Sequence, residues 1–463
     1  LPVARERVDV FVIGGGGTGS DVTWRLSGAG LSVALAERDK LGGECANYGC
    51  DPTKAMLKAA RVAASARRAG EFGIRVGSVE VDFAAVMARV ARLIAEETRL
   101  GGSIYEERGA VVFLQEARIT DEHRVELADG TVFEADRIVL ATGSEPDPPP
   151  IDGLDPGGYW TNKEAIWHGS GVPTSLAVIG GGAIGVEFAQ IYSRFGSRVT
   201  LLEVADRVLP PEDLDSSIAI DEALSAEGIT VLDGVEIVRA THESGGWRVS
   251  VANGDDVVAD KLLVATGRRP CFDGHDLDAA GVSLDDRGRP LLSDTLRTTA
   301  RHIWAGGDAT GDLLFTHVGG YEAGLIAADI LDDPHPRDYR VVPKVTYCEP
   351  EVASVGLTEE AARAAGHEVV TGLVRMAGVT RAFLEGEPFG LVKLVADEDS
   401  GELLGGHIVG EHAGELIHEV VAAMAARTPA ATVGKAIHAY PSWSEGVRGA
   451  FRALARELGE DLS

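Results

Sequence analysis

The sequence is sparing with sulfur: four cysteines and four methionines stand among 463 residues. So few cysteines in so long a chain exclude a disulfide-stapled scaffold. They are left as buried small hydrophobes or as redox groups. Basic charge is outnumbered, with 43 Lys and Arg against 72 Asp and Glu and a formal net charge of -29. Nucleic-acid binding needs a basic footprint, so no nucleic-acid partner is expected, and the acidity reads as a solubility device. No apolar run approaches the ~20 residues that cross a bilayer, so no membrane association is expected. A strand-like run starts by Val8, which leaves no room for a signal peptide, and a cytoplasmic location is expected. The remaining composition, 45% hydrophobic and 25% charged, is that of an ordinary globular protein. At ~100–200 residues per domain the length predicts two to four domains.

Val8–Ile13 is an apolar run of strand length that leads straight into Gly14-Gly15-Gly16-Gly17-Thr18-Gly19. A helical pattern follows to about Gly28, then a second strand over Leu31–Glu37. Gly14, Gly16 and Gly19 fit G-x-G-x-x-G. The first glycine makes the tight turn, the second lets a pyrophosphate approach the backbone, and the third lets helix pack on strand. The helix N-terminus offers N–H groups and a positive dipole end to phosphates. Glu37 follows Gly14 by 23 residues, where an acid accepts a ribose hydroxyl.

The pattern recurs 166 residues later, with a strand at Leu176–Ile179, glycines at Gly180, Gly182 and Gly185, and a second strand at Arg198–Glu203. Glu203 again stands 23 residues after the first glycine. One such motif is weak evidence; two copies with matched spacing are strong. A 2′-phosphate would be repelled by Glu203, so NAD is favoured over NADP at the second site, although Arg207 follows close by. Each unit closes on a strand that runs into an Ala-Thr-Gly turn, at Ala141-Thr142-Gly143 and Ala265-Thr266-Gly267. Turn-rich stretches after these, and Asp332–Pro336, mark the domain crossings.

Cys45 and Cys50 lie in Leu41–Lys54, just past the first acid. Four residues separate them, a loop that a disulfide can close only if the backbone departs from regular helix. Gly49 and Pro52 are consistent with that departure. A helix beginning near Pro52 would lower a thiol's pKa through its dipole. Read on spacing alone, the pair is a redox couple or two core cysteines.

Gly42–Lys54 resembles the redox-active segment of the class I pyridine nucleotide-disulfide oxidoreductases, the family of dihydrolipoamide dehydrogenase and mercuric reductase. The resemblance extends to both fingerprints, both Ala-Thr-Gly turns, Thr299–Asp308 and Val342–Val352. It implies an α/β fold with two Rossmann-like dinucleotide-binding domains, for FAD and NAD(P), and a C-terminal α+β dimerisation domain. The implied boundaries are 1–147 and 271–340 for the FAD domain, 148–270 for the NAD(P) domain and 341–463 for dimerisation.

For FAD the resemblance implies Gly14, Gly16 and Gly19 on the pyrophosphate, Glu37 on the ribose and Asp308 on the ribityl chain. It adds Gly43, Lys54, Ala117, Thr142, Gly143, Thr316 and His317 to that site. For NAD(P)H it implies Gly180, Gly182, Gly185, Glu203 and Gly267. Lys54 and Glu187 match a lysine–glutamate pair near the flavin. A Cys45–Cys50 disulfide would take electrons from NADH through the flavin, with Cys50 facing the flavin and Cys45 the substrate. The enzyme would be a homodimer with a shared site and a small-molecule acceptor, with no resident metal.

The sequence departs from the family at its base. Where disulfide-exchanging members carry a histidine before proline, this chain has Tyr440 before Pro441, while Glu445 is retained and His438 lies two residues earlier. An imidazole titrates near ~6.5 and a phenol near ~10, so Tyr440 is a hydrogen-bond donor rather than a ready base. Turnover of a lipoamide-type dithiol is therefore expected to be slow. A mercuric reductase-like or broad disulfide, metal or quinone reductase is favoured. Dihydrolipoamide dehydrogenase and a non-catalytic flavoprotein subunit are the alternatives. Glu44, where the family has a small hydroxyl residue, is expected to lie near the flavin pyrophosphate or to raise the Cys45 pKa; with Asp51 it is expected to disfavour thiolates. His412, Glu415 and His418 are read as a solvated or interface face of a helix.

Overall fold

The computed structural model describes residues 5–155, 157–243 and 245–463. The chain parts into two units, each gathered from three segments. One holds Leu1–Ala55, Ala84–Asp147 and Gly267–Asp338; the other holds Met56–Phe83, Pro148–Thr266 and Tyr339–Ser463.

In the first unit, strand β1 (Arg5–Ile13) leads to helix α1 (Gly17–Gly28) and strand β2 (Val33–Ala36). β1 pairs in parallel with β2 on one side and with Val132–Leu140 on the other, Ile13 standing opposite Ala36 and Leu140. Val111–Phe113 extends the sheet beyond β2. The far edge of Val132–Leu140 is divided. Residues 132–134 pair with the antiparallel hairpin Ala117–Asp121/Arg124–Leu127, and residues 138–140 pair in parallel with Ile303–Ala305.

Strand alternation sorts the core onto two faces. Phe11 and Ile13 pack with Phe133, Ile138 and Leu140, while Val10 and Val12 pack with Trp304 and with Val22 and Leu26 of α1. Both faces are covered, as a parallel sheet requires. β2 is shorter than expected. Ser32 donates its N–H and hydroxyl to the Asp9 carboxylate, which ends the strand at its start, and Glu37 turns back to the glycine loop at its end.

The second unit repeats the parallel core, in the order Thr230–Leu232, Arg198–Leu202, Ser175–Ile179, Lys261–Val264. A three-stranded antiparallel sheet (Ile237–Glu243, Gly246–Val251, Val257–Ala259) packs on it through Ala240, Trp247 and Val249. From residue 343 the chain forms a five-stranded antiparallel sheet in the order Pro343–Thr346, Glu351–Gly356, Leu403–Gly410, Leu391–Asp397, Val369–Arg375. Helices Ala413–Ala425 and Ser444–Glu457 bury Ile417, Val420, Val447 and Phe451 in its core. The architecture is therefore two Rossmann-like folds followed by an α+β region. Among the described residues no helix is long and apolar enough to cross a membrane.

Candidate redox site

The glycine loop after β1 is dictated by close backbone approach. Gly14 has φ +104, and a Cβ there would lie 2.1 Å from the Ala141 carbonyl oxygen; one on Gly19 would lie 1.9 Å from the Gly14 oxygen. No side chain fits either gap, so β1, α1 and the Ala141-Thr142-Gly143 turn can meet only through glycine. The Glu37 carboxylate is buried and accepts from the Gly15 N–H at 2.7 Å and the Asp39 N–H at 2.7 Å, which fixes the loop against the end of β2.

The same loop carries the cysteine segment. Gly42 donates its N–H to the Gly15 carbonyl at 2.8 Å, and a Cβ on Gly43 would lie 2.8 Å from the Gly16 Cα. Helix α2 (Gly43–Tyr48) then holds Cys45, and helix α3 (Cys50–Arg68) begins with Cys50. Gly49, at φ -130 and ψ -109, separates them. The expected break in helical geometry is therefore present, and the second helix starts at Cys50, with Pro52 in its first turn.

All four cysteines are free thiols. Thr316, the first residue of helix Thr316–Ile330, donates its hydroxyl to the Cys45 sulfur at 3.1 Å and lies 3.6 Å from the Cys50 sulfur. The Cys50 pKa is lowered from 9.0 to about 6, first by the hydrogen bond from the Cys45 thiol, with help from Thr316 and the Lys54 charge and against burial. The Cys45 thiol is pushed up by that same bond, then by burial. The two sulfurs are thus unlike: Cys50 holds the negative charge and Cys45 the proton.

This corrects the expected influence of the neighbouring acids. Asp51 does oppose ionisation at both sulfurs, but the hydrogen bonds outweigh it at Cys50. Glu44 is not among the main causes raising Cys45. Its carboxylate pairs with Arg268, Nη2 to Oε1 at 3.3 Å. Arg268 also donates to the Ser144 hydroxyl and carbonyl, each at 2.8 Å, and the Ser144 hydroxyl donates to Asp308 at 2.6 Å. Sequence reasoning missed this chain of four residues, and it missed the Thr316 hydroxyl as a partner of the sulfurs. Both Ser144 and Arg268 directly follow the Ala-Thr-Gly turns, which was the available signal.

The other residues named for the first cofactor lie in the same unit. Gly143 has φ +73, and its carbonyl accepts from the Cys271 N–H at 3.0 Å. His317 follows Thr316, its ring stacked on Phe315. Ala117 is buried at the start of its strand.

The second glycine loop reproduces the first almost atom for atom. Gly180 has φ +107, and a Cβ there would lie 2.4 Å from the Ala265 oxygen; one on Gly185 would lie 1.8 Å from the Gly180 oxygen. The Glu203 carboxylate accepts from the Gly181 N–H at 2.6 Å and the Ala205 N–H at 2.8 Å. Arg207 bonds the Pro210 carbonyl and Glu360, each at 3.3 Å. Gly267 has φ +144. Glu187 is 4% exposed and accepts from the Tyr347 N–H at 2.9 Å. Farther along, Tyr440 is 73% exposed. Glu445 accepts from the Ser442 N–H at 3.3 Å. His438 places Nε2 3.1 Å from Glu419 and Nδ1 3.1 Å from the Ala436 carbonyl. Among the described residues, His412, Glu415 and His418 do not bring their ligating atoms together.

Both loops fit a dinucleotide. Gly16 and Gly182 cap their helices with no side-chain bond and no acid in the first turn, so the leading N–H groups suit an anion. A Cβ on Gly16 would meet only the Gly43 Cα, at 3.9 Å, and one on Gly182 nothing within 4 Å, among the described residues. Among the described residues, Thr142 Oγ1 is buried without a partner at the end of the first sheet, as a site awaiting a polar ligand requires.

Residues 8–324 match the family model of the pyridine nucleotide-disulphide oxidoreductases, and residues 342–451 match that family's dimerisation domain. The chain is 39% identical over 459 residues to a dihydrolipoyl dehydrogenase of Chlorobaculum tepidum, covering 96% of this chain and 97% of that one. It is 32% identical over 457 residues to a mercuric reductase of Bacillus cereus, covering 98% and 72% respectively. Among solved structures, the Cu(II) complex of the HOCl-induced flavoprotein disulfide reductase RclA from Escherichia coli superposes with a TM-score of 0.87. It is 27% identical, with 96% of this chain and 99% of that one covered.

Proposed function

The chain belongs to the pyridine nucleotide-disulphide oxidoreductases, FAD-dependent enzymes that use NAD(P)H, and we propose that this member reduces a small electrophile rather than oxidising a dihydrolipoyl group. The acceptor class is a soft metal ion, a quinone or a small oxidant. One observation carries this reading: Tyr440, an exposed phenol, occupies the sequence position at which the family resemblance calls for a histidine base, and the nearby His438 is held by Glu419 and the Ala436 carbonyl. The likeness to RclA, solved as a Cu(II) complex, supports including metal ions in that class.

FAD, when bound, relays two electrons from the nicotinamide to the cysteine pair. The loop of Gly14, Gly16 and Gly19 would hold its pyrophosphate, with Glu37 toward the ribose and Asp308 toward the ribityl chain. The Gly180–Gly185 loop and Glu203 would hold NADH. The Glu203 carboxylate disfavours a 2′-phosphate, and Arg207 is engaged by Glu360 and Pro210. Lys54 and Glu187 are the two residues that match the family's lysine and glutamate near the flavin. Two electrons open the Cys45–Cys50 bond. Cys45 takes one proton, and Cys50 stays a thiolate at neutral pH. Handing the pair to the acceptor re-forms the bond and releases that proton. The enzyme works as a homodimer, Tyr440 and Glu445 coming from the second subunit, and in the cytoplasm, where thiols stay reduced.

The deciding experiment measures NADH consumption against lipoamide, Cu(II), Hg(II) and quinones, with the Tyr440→His variant alongside. The proposal expects slow lipoamide turnover that rises in Tyr440→His, and faster turnover of at least one other acceptor. Ordinary lipoamide rates, abolished by His438→Ala and untouched by Tyr440→Phe, would instead identify a dihydrolipoyl dehydrogenase, the reading favoured by the 39% identical relative.

A further inference from the structure

The cofactor loops of the first unit follow the carboxyl ends of β1, Val132–Leu140 and Ile303–Ala305. A second group of chemically capable side chains lies away from those ends, where the outer edge of Val132–Leu140 passes from the hairpin to Ile303–Ala305. Glu122 and His123 form the two-residue turn between Ala117–Asp121 and Arg124–Leu127, where Asp121 pairs with Arg124. His302 immediately precedes Ile303–Ala305. One ligating atom from each of Glu122, His123 and His302 lies within 4.8 Å of the other two.

The hydrogen bonds of the two rings decide what they can offer. His123 Nδ1 lies 2.8 Å from the Ala135 carbonyl oxygen, and His302 Nε2 lies 2.5 Å from the Glu122 carbonyl oxygen. A carbonyl oxygen only accepts, so each of these nitrogens carries a proton. His123 Nε2 and His302 Nδ1 are then left with lone pairs. The rings stand 4.1 Å apart, centroid to centroid. One nitrogen donating to a backbone carbonyl while the other keeps its lone pair is how metal-ligating histidines are oriented.

We propose that Glu122, His123 and His302 form a binding site for one late first-row divalent ion of the Zn2+ and Cu2+ class. Two imidazoles and one carboxylate suit that class, whereas Mg2+ and Ca2+ take oxygen ligands. Bonds of ~2.0–2.1 Å require the ligands to close to roughly 3.4 Å, a rotamer-scale movement for exposed turn residues. Arg124 and Arg301 flank the site in sequence and oppose a cation, so micromolar affinity is expected. The site is separate from electron transfer at the cysteines, and it stands whatever the acceptor is.

The test uses tag-free, FAD-loaded protein carrying Cys45→Ser and Cys50→Ser, so that thiol binding is removed, and titrates it with redox-inert Zn2+ by calorimetry. One equivalent binding at micromolar concentration is expected. Adding His123→Ala or His302→Ala should weaken it at least tenfold, and Glu122→Gln severalfold, with flavin content and far-UV dichroism unchanged. His123→Ala, in an exposed turn, keeps the test decisive if His302→Ala misfolds. Absence of a micromolar event overturns the proposal. So does a Zn2+ isotherm that His123→Ala leaves unaltered, because the ion then rests on the acidic surface at large.

Discussion

Arg268 pairs with Glu44 across 3.3 Å, one residue before the first redox cysteine. Arg268 is only 12% exposed, and its other bonds run to Ser144 and so to Asp308. The acid in place of a small hydroxyl residue thus ties the cysteine helix to the residue expected to hold the ribityl chain. Glu44→Ala should cost about 1 kcal/mol of stability and weaken FAD severalfold, with Glu44→Gln intermediate. Thermal melts and flavin-release titrations check both effects.

Thr316→Val keeps the shape of the side chain and removes the hydroxyl beside both sulfurs. The Cys50 pKa should then climb from about 6 by roughly one unit, about 1.4 kcal/mol. The thiolate absorbance of the dithiol protein, followed against pH and corrected with Cys50→Ser, reports the midpoint. An unmoved midpoint would leave Thr316 a packing residue.

The same lowered pKa gives stability a pH dependence. A thiol that ionises more readily in the folded than in the unfolded chain stabilises the fold fully above its ordinary 9.0, and this is lost as pH falls through about 6. The melting temperature of the dithiol form, relative to Cys50→Ser, should therefore decline from pH 9 to pH 6 and level off below.

Gly185→Ala places a Cβ 1.8 Å from the Gly180 oxygen, so the second loop must distort. The variant should keep its flavin yet bind NADH at least tenfold more weakly. Gly19→Ala, with its Cβ 1.9 Å from the Gly14 oxygen, should instead purify with little flavin. Equilibrium dialysis and visible spectra separate the two outcomes.

In the first unit's core, Phe133 packs edge-on against Phe11 and Phe113 at 5.1 and 5.4 Å. Phe133→Ala should cost about 3–5 kcal/mol, read by denaturant unfolding of the holoprotein.

The fingerprints were legible because short-range backbone geometry forces them. Gly14 and Gly180 have positive φ under a neighbouring carbonyl, and that requirement leaves a glycine in the sequence. The unlike acidities of Cys45 and Cys50 were not legible, because they depend first on the hydrogen bond between the two sulfurs and then on Thr316, 266 residues beyond Cys50. Glu44 was recognised as unusual, but its ion pair was not foreseen: its partner, Arg268, is distant in sequence and arrives through the crossing after Gly267. The helix expected to begin near Pro52 begins at Cys50, with Pro52 in its first turn, where no N–H is needed. Chemistry that rests on neighbours in sequence could be read; chemistry assembled by long-range pairing could not.

Val132–Leu140 gives one half of its outer edge to a nearby hairpin and the other half to Ile303–Ala305. During synthesis, the ribosome must therefore deliver more than 150 further residues before the strand that β1 meets early can finish its bonding. Nascent chains arrested short of residue 305 should leave that half-edge open to chaperones, and only release of the later segment seals it.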